Sequence, residues 1–161
     1  MIILGIDPGL ASTGFGVIRC DKTATSLLKC GYIKTSQREH ISNRLFQIHS
    51  DINFLICTLQ PDLVAIENVF SLIKYPKAGI LLGGVLGAIY LSVFQKNIPI
   101  VEITSKEIKN SLTGYGGASK QQIRSAVKKL LKVNNLKSFH ASDALAIALT
   151  AFYRQNPRRI G

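Results

Sequence analysis

Short apolar runs, each closed by turn residues, form the first part of the chain. Strand-like stretches cover residues 2–6, 14–20 and 25–34, and Asp7-Pro8-Gly9 ends the first of them. The segments between these stretches are too short to hold a helical crossover. The pattern therefore predicts an antiparallel meander.

A helical repeat replaces this pattern after residue 40. Apolar residues recur every three or four positions from Ile41 to Leu59 and stop before Pro61, which predicts one amphipathic helix. Strands and helices then alternate. Strands are predicted at 63–66 and 98–103, and helices at about 78–95, after a Thr104–Glu107 capping box, at 120–132 and at about 139–154. This order predicts an α/β fold, a mixed β-sheet flanked by helices.

Length and composition favour one compact domain. The chain has 161 residues, of which 47% are hydrophobic, so we expect a single domain over residues 1–155 and a short basic tail over 156–161. The chain starts on a buried strand rather than a charged leader, so we expect a cytoplasmic protein. The three cysteines are odd in number and lie far apart, which suggests neither a disulfide framework nor a zinc knuckle.

The segment 78–95 is long and apolar enough to need separate consideration. Its 18 residues carry no charge and would span roughly 27 Å as a helix. Gly79, Gly83 and Gly87 stand four apart and form a smooth stripe that another backbone can approach closely. We therefore expect a buried helix at a subunit interface rather than a membrane span.

The charge of the chain favours a nucleic-acid partner. Lys and Arg number 20 against nine Asp and Glu, a net charge of +11. Residues 101–161 hold eleven basic and three acidic side chains, 11 − 3 = +8, so most of the positive charge lies in the C-terminal part. A polyanion needs only such cations, whereas a membrane surface would also need exposed apolar anchors on a basic helix.

Three acidic residues lie in or beside apolar segments, where an unpartnered carboxylate is costly. Asp7 ends the first strand, Glu67 ends the strand after the long helix, and Asp143 lies on the last helix. If the two strands pair in parallel, Asp7 and Glu67 meet at one edge of the sheet. These acids would repel DNA on their own, but a bound divalent metal would neutralise their charge and make them metal ligands.

His140 adds a fourth potential ligand. It lies three residues before Asp143, so the two side chains share one helix face. Carboxylate oxygens are preferred ligands of Mg²⁺, and an imidazole among them favours Mn²⁺ binding as well. Two such ions would support phosphodiester cleavage. Alone, each residue has an ordinary interpretation: Asp7 as a turn residue, Glu67 as a solvated strand end, His140 as a residue near a helix start.

Three motifs resemble the RuvC Holliday junction resolvases. They are residues 3–16 (ILGIDPGLASTGFG), 65–70 (AIENVF) and 140–148 (HASDALAIA). The resemblance runs almost end to end. It implies a ribonuclease-H-like fold, a homodimer, paired symmetric nicks across a four-way DNA junction during recombination and repair, and the branch-migration proteins RuvA and RuvB as partners.

The resemblance also implies roles for individual residues. The metal-binding acids of the family fall on Asp7, Glu67 and Asp143, and its fourth ligand position falls on His140, where many members carry Asp. These four residues are the expected catalytic and metal-binding group.

Three further residues match DNA-binding positions of the family. Phe70 corresponds to an aromatic residue that contacts unstacked bases, and Lys109 and Lys120 match lysines that engage DNA near the scissile phosphate. Beyond the resemblance, Arg124, Lys128 and Lys132 recur every four residues and form either a phosphate-facing stripe or a solvated helix face.

Two other functions fit parts of the pattern. A first strand that ends in Asp-x-Gly also occurs in actin-like ATPases and sugar kinases, but those need two such lobes, and the motif G-x-x-x-x-G-K-[ST] is missing from the sequence. A junction-binding module without catalysis is the other alternative, against which the intact acids speak.

Overall fold

The computed structural model describes residues 1–21, 24–68, 76–136 and 138–155. In these ranges the chain forms five strands and five helices. The strands are β1 Ile2–Asp7, β2 Ser12–Cys20, β3 Thr25–Lys34, β4 Leu63–Glu67 and β5 Ile100–Ile103. The helices are α1 Ile41–Leu59, α2 Pro76–Phe94, α3 Ser105–Thr113, α4 Lys120–Leu131 and α5 Phe139–Gln155. The order of elements predicted from the sequence is confirmed. The predicted basic tail lies outside the described residues.

The strands form one mixed sheet in the order β3-β2-β1-β4-β5. The first three strands are an antiparallel meander, as predicted, while β1 pairs with β4 and β4 with β5 in parallel. Ile6 stands opposite Ile66 in the β1–β4 pair. Asp7 and Glu67, one residue further on, therefore end their strands side by side.

Helices cover both faces of the sheet. Alternate residues of β1 point to opposite sides: Leu4 and Ile6 pack with α1 and α2, whereas Ile3 packs with α3, α4 and α5. Capping boxes begin two of the helices: Thr104 and Glu107 begin α3, as predicted, and Ser119 and Gln122 begin α4.

Helix α5 lies unusually close to the sheet because glycines on β1 and β2 leave room for its backbone. A Cβ atom at Gly5 would stand 2.1 Å from the carbonyl oxygen of Ala144, and one at Gly14 would stand 2.2 Å from that of His140. Most of the helix is consequently buried from Ala144 to Phe152. The first turn, which carries His140, rests directly above β2.

Helix α2 is buried on one side only. Val85, Ile89 and Val93 are fully buried in the core on the α1 side of the sheet. By length and composition, α2 is the one helix of the described chain that could cross a membrane, and 28% of its most apolar window is buried. The expectation of a buried helix therefore holds for this one face. Its opposite face exposes apolar side chains.

We expect Gly5→Ala to destabilise the protein by about 1–3 kcal/mol or more, because the new methyl group would overlap the backbone of α5. The matched control is Gly84→Ala in α2, where the nearest atom to a new Cβ is Leu45 Cδ1 at 3.5 Å. That change should be neutral or stabilise by up to about 1 kcal/mol, since Ala suits a helix better than Gly. Urea denaturation measures both, and equal effects would contradict close packing of α5.

Candidate active site

The site lies at the edge of the sheet where the parallel strands end. Asp7 closes β1 and Glu67 closes β4, and Glu67 stands opposite Ile103 of β5. β1 and β4 pair in parallel, which is the condition under which these two residues were expected to meet. The two carboxylates therefore share one edge, although 60 positions separate them in the sequence.

Helix α5 brings the other two predicted ligands to this edge. His140 Nδ1 lies 3.5 Å from Asp7 Oδ2. The Asp7 side chain is 18% exposed and that of His140 is 49% exposed, so the imidazole forms the open side of the pair. Asp143 lies one helical turn further along α5 and interacts electrostatically with Asp7. All four predicted residues thus gather around the end of β1.

Asp7 has a raised pKa. Burial, followed by the negative charges of Glu67 and Asp143, raises the pKa of Asp7 from 3.8 to about 7. The hydrogen bond from His140 and the charge of that residue act in the opposite direction. The protein therefore concentrates negative charge at this point at a cost to its own stability.

A cleft of about 330 Å³ opens beside the acids. Glu67 and Asp143 line it together with Lys109 of α3 and Lys120 of α4. Lys120 Nζ lies 3.6 Å from Asp143 Oδ2, yet the lysine side chain is 78% exposed. An ion pair so open to solvent is weak, which leaves the ammonium group free to exchange its partner for a phosphate.

Ser105, which the sequence analysis did not single out, contacts a predicted ligand. Its hydroxyl donates a hydrogen bond to Glu67 Oε1. Ser105 is the first residue of α3, two positions after Ile103, which stands opposite Glu67 in the sheet. The Thr104–Glu107 capping box was visible in the sequence, but the pairing of β4 with β5 was needed to place Ser105 beside Glu67.

The remaining predicted DNA contacts have different positions. Phe70 lies outside the described residues. Arg124 turns toward α5, where its guanidinium group covers the ring of Phe139 and donates a hydrogen bond to the carbonyl oxygen of Leu136. The predicted stripe along α4 is therefore not a uniform row of solvated cations.

The donor set fits a divalent cation, although the side chains are not preassembled around one. Among the residues the structure describes, no three His, Cys, Asp or Glu side chains lie close enough together to form a metal site as they stand. Three carboxylates and an imidazole nevertheless supply the ligand types of Mg²⁺ and Mn²⁺. Burial raises the pKa of Asp7 most, and repulsion from Glu67 and Asp143 adds to the rise; a cation would relieve that repulsion.

Comparison with known proteins identifies the family. The family described as "Crossover junction endodeoxyribonuclease RuvC" matches residues 3–151. The chain belongs to the RuvC family. RuvC of Prochlorococcus marinus is 38% identical over 161 residues, covering 96% of this chain and 98% of the relative. RuvC of Tolumonas auensis is 40% identical, covering 96% of this chain and 88% of the relative.

The fold agrees with this assignment. The structure of Thermus thermophilus RuvC in complex with a Holliday junction substrate matches with a TM-score of 0.91 and 31% identity, covering 98% of this chain and 96% of that chain. The ribonuclease-H-like mixed sheet expected from the motifs is thereby confirmed. RuvC family nucleases depend on metal ions, which agrees with the donor types found here.

We expect Asp7→Asn to stabilise the metal-free protein at pH 8. The folded-state pKa of Asp7, about 7, lies above its unfolded value near 3.8, so the wild type loses stability as pH rises through that interval. Asn cannot ionise. The variant should therefore be more stable in EDTA at pH 8, by on the order of a few kcal/mol, and close to the wild type at pH 4.

Thermal unfolding in EDTA across this pH range measures the difference. Saturating Mg²⁺ serves as the control, because it should stabilise the wild type and narrow the gap. A wild type that equals or exceeds the variant at pH 8 without metal would contradict the proposed crowding of charge around Asp7.

Proposed function

We propose that this protein resolves four-way DNA junctions by paired, symmetric, metal-dependent cleavage of phosphodiester bonds during recombination and repair. The observation that carries the proposal is the meeting of Asp7, Glu67, His140 and Asp143 beside a cleft that also holds two lysines. Membership of the RuvC family supports it, as does the likeness to a relative solved with a Holliday junction substrate.

Asp7, Glu67, His140 and Asp143 would hold the metal. Mg²⁺ is the expected ion, Mn²⁺ should also support activity because of the imidazole, and two ions per site suit the reaction. When bound, such ions supply an activated water and stabilise the leaving oxygen. The protein contributes hard oxygen ligands that are fixed on two strand ends and on helix α5 rather than on loops, which preserves their spacing.

The surrounding residues orient these ligands. The hydroxyl of Ser105 holds one oxygen of Glu67, and His140 contacts one oxygen of Asp7. Within the described part of the chain, the other oxygen of each of these two carboxylates has no hydrogen-bond partner and could bind a cation. Orientation by such neighbours typically matters as much as the ligand itself.

The lysines of the cleft are placed to bind the substrate backbone. Lys109 of α3 and Lys120 of α4 line the cleft together with Glu67 and Asp143. Either ammonium group would neutralise the charge of a phosphate and the further charge that develops during cleavage. Phe70 remains our proposed contact for an unstacked base near the junction.

A homodimer would supply the second cut. Five residues share the exposed face of α2, which we call the α2 face: Ile80, Gly83, Gly87, Leu91 and Phe94. Ile80 is 76% exposed and Phe94 is 75% exposed, and a Cβ at Gly83 or Gly87 would meet nothing within 4 Å. A smooth apolar face of this kind suits a twofold contact with a second copy.

Family membership supports an inference about the cellular setting. We infer that the protein works in the cytoplasm on chromosomal DNA and together with the branch-migration proteins RuvA and RuvB. This setting supplies the four-way junctions that the proposed activity consumes.

The direct test of the proposed function is cleavage of an immobile four-way junction beside a linear duplex of the same sequence, with Mg²⁺, with Mn²⁺ and with EDTA. We expect paired nicks confined to the junction, with either metal and not with EDTA. Asp7→Asn should lower the cleavage rate at least about a hundredfold while junction affinity is kept, because it removes a ligand and relieves repulsion. Asp51→Asn, on α1 at the other face of the sheet, is the matched control.

Each of the other outcomes would indicate a different function for this protein. Binding without cutting in any metal would indicate a junction-binding module, and equal cutting of the duplex would indicate a less selective nuclease. ATP hydrolysis without cleavage would point to the ATPase alternative. Undiminished cleavage by Asp7→Asn would remove Asp7 from the active site.

We expect Leu91→Asp to convert the dimer to a monomer, because a charge placed in an apolar interface loses its hydration without gaining a partner. Light scattering coupled to size-exclusion chromatography measures the mass, and the nicks on a junction should become single rather than paired. Leu28→Asp on the edge strand β3 is the matched control and should stay dimeric. A dimeric Leu91→Asp would contradict the α2 face as the interface.

A further inference from the structure

Two half-exposed aromatic rings lie beside His140. Tyr32 is 51% exposed and Phe139 is 52% exposed. Neither residue belongs to the expected metal-binding or DNA-binding group. We call these two side chains the aromatic rim.

Tyr32 reaches the site from the edge strand. It stands opposite Gly14 on β2, and Gly14 is the position that lets the backbone of His140 rest on the sheet. Cys30, two residues earlier on the same side of β3, packs in the core beneath α5. Tyr32 lies on the same side of β3, close to the first turn of α5. Its ring centroid lies 6.3 Å from that of His140.

Phe139 is the first residue of α5 and directly precedes His140. The guanidinium carbon of Arg124 lies 4.3 Å from the centre of its ring. Arg124 also donates a hydrogen bond to the carbonyl oxygen of Leu136, which holds its guanidinium group in this position. Lys120, one turn earlier on α4, pairs with Asp143. Two cations thus lie along the seam between α4 and α5, one beside an acid and one beside an aromatic ring.

The hydrophobic effect alone would favour burial of these two large rings rather than their exposure at this place. Burying an aromatic side chain is favourable, yet both residues remain about half exposed next to the expected ligands. The cations nearby, Arg124 and the exposed Lys34 on the same side of β3 as Tyr32, match a polyanion rather than an apolar protein surface. Aromatic rings set among cations are the usual platform for unstacked bases.

We propose that the aromatic rim, Tyr32 and Phe139, stacks on nucleobases that are unpaired or splayed next to the scissile phosphate of the junction. This inference rests on the proposed function. It adds a base contact on β3 and α5 to the one proposed for Phe70, and it makes the side of the site nearest His140 a contributor to substrate selection.

The test compares variants that keep or remove the rings without changing charge. In the double variant Tyr32→Leu with Phe139→Leu, junction affinity in EDTA should fall about tenfold or more, since each stacked base is worth a substantial share of binding. In Tyr32→Phe with Phe139→Tyr, which keeps both rings, affinity should equal that of the wild type. Phe54→Leu on α1, a ring that is 64% exposed on the other face of the sheet, is the matched control.

A second readout reports stacking itself. With 2-aminopurine placed beside the cleavage position, the wild type and the ring-keeping variant should change its fluorescence on binding, and the double Leu variant should not. Thermal unfolding should be nearly the same for all these variants, because the rings are half exposed.

The outcomes separate this inference from the function on which it rests. If the wild type cuts and binds junctions while the double Leu variant binds equally well, the aromatic rim is not a base contact, although the proposed function stands. If the ring-keeping variant loses affinity as strongly as the Leu variant, stacking is also excluded. A wild type that neither binds nor cuts junctions would overturn both proposals.

Discussion

The close contact between α5 and the sheet is the constraint on which the site depends. Gly5 and Gly14 have no side chains, so the helix backbone rests on strands where any Cβ would overlap it. This contact brings the first turn of α5 close to the strand ends. Without it His140 and Asp143 would stand too far from Asp7 to act with it. Packing in the core therefore sets the spacing of the chemistry at the surface.

The same arrangement sets stability against activity. Asp7, Glu67 and Asp143 lie near one another in this arrangement, and burial, followed by the charges of Glu67 and Asp143, raises the pKa of Asp7. A protein selected for stability alone would separate these acids. Lys120 offsets part of the charge from the open side of the cleft. Under the proposed function, a bound cation would complete this site.

Much of this could be predicted from the sequence, because the decisive patterns are local. Periodicity in the segment Ile41–Leu59 gave the bounds of α1, and the motifs around Asp7, Glu67 and Asp143 indicated the family. Contacts between distant elements could not be predicted in the same way. Ser105 meets Glu67 only through the pairing of β4 with β5, and Tyr32 meets His140 only through the register of β3 and the position of α5. Such contacts depend on geometry that no periodic pattern encodes.

Pulsed EPR spectroscopy of the protein loaded with Mn²⁺ tests directly whether α5 and the strand ends assemble a metal site. The sequence holds three histidines, so a directly bound imidazole can be assigned by substitution. A bound His140 should give a nitrogen coupling from one imidazole that is lost in His140→Asp and kept in His49→Gln, and Mn²⁺ binding should be weaker in Asp7→Asn. A coupling that persists in His140→Asp, or a protein that does not bind Mn²⁺, would contradict the assembly of a metal site by α5 and the strand ends.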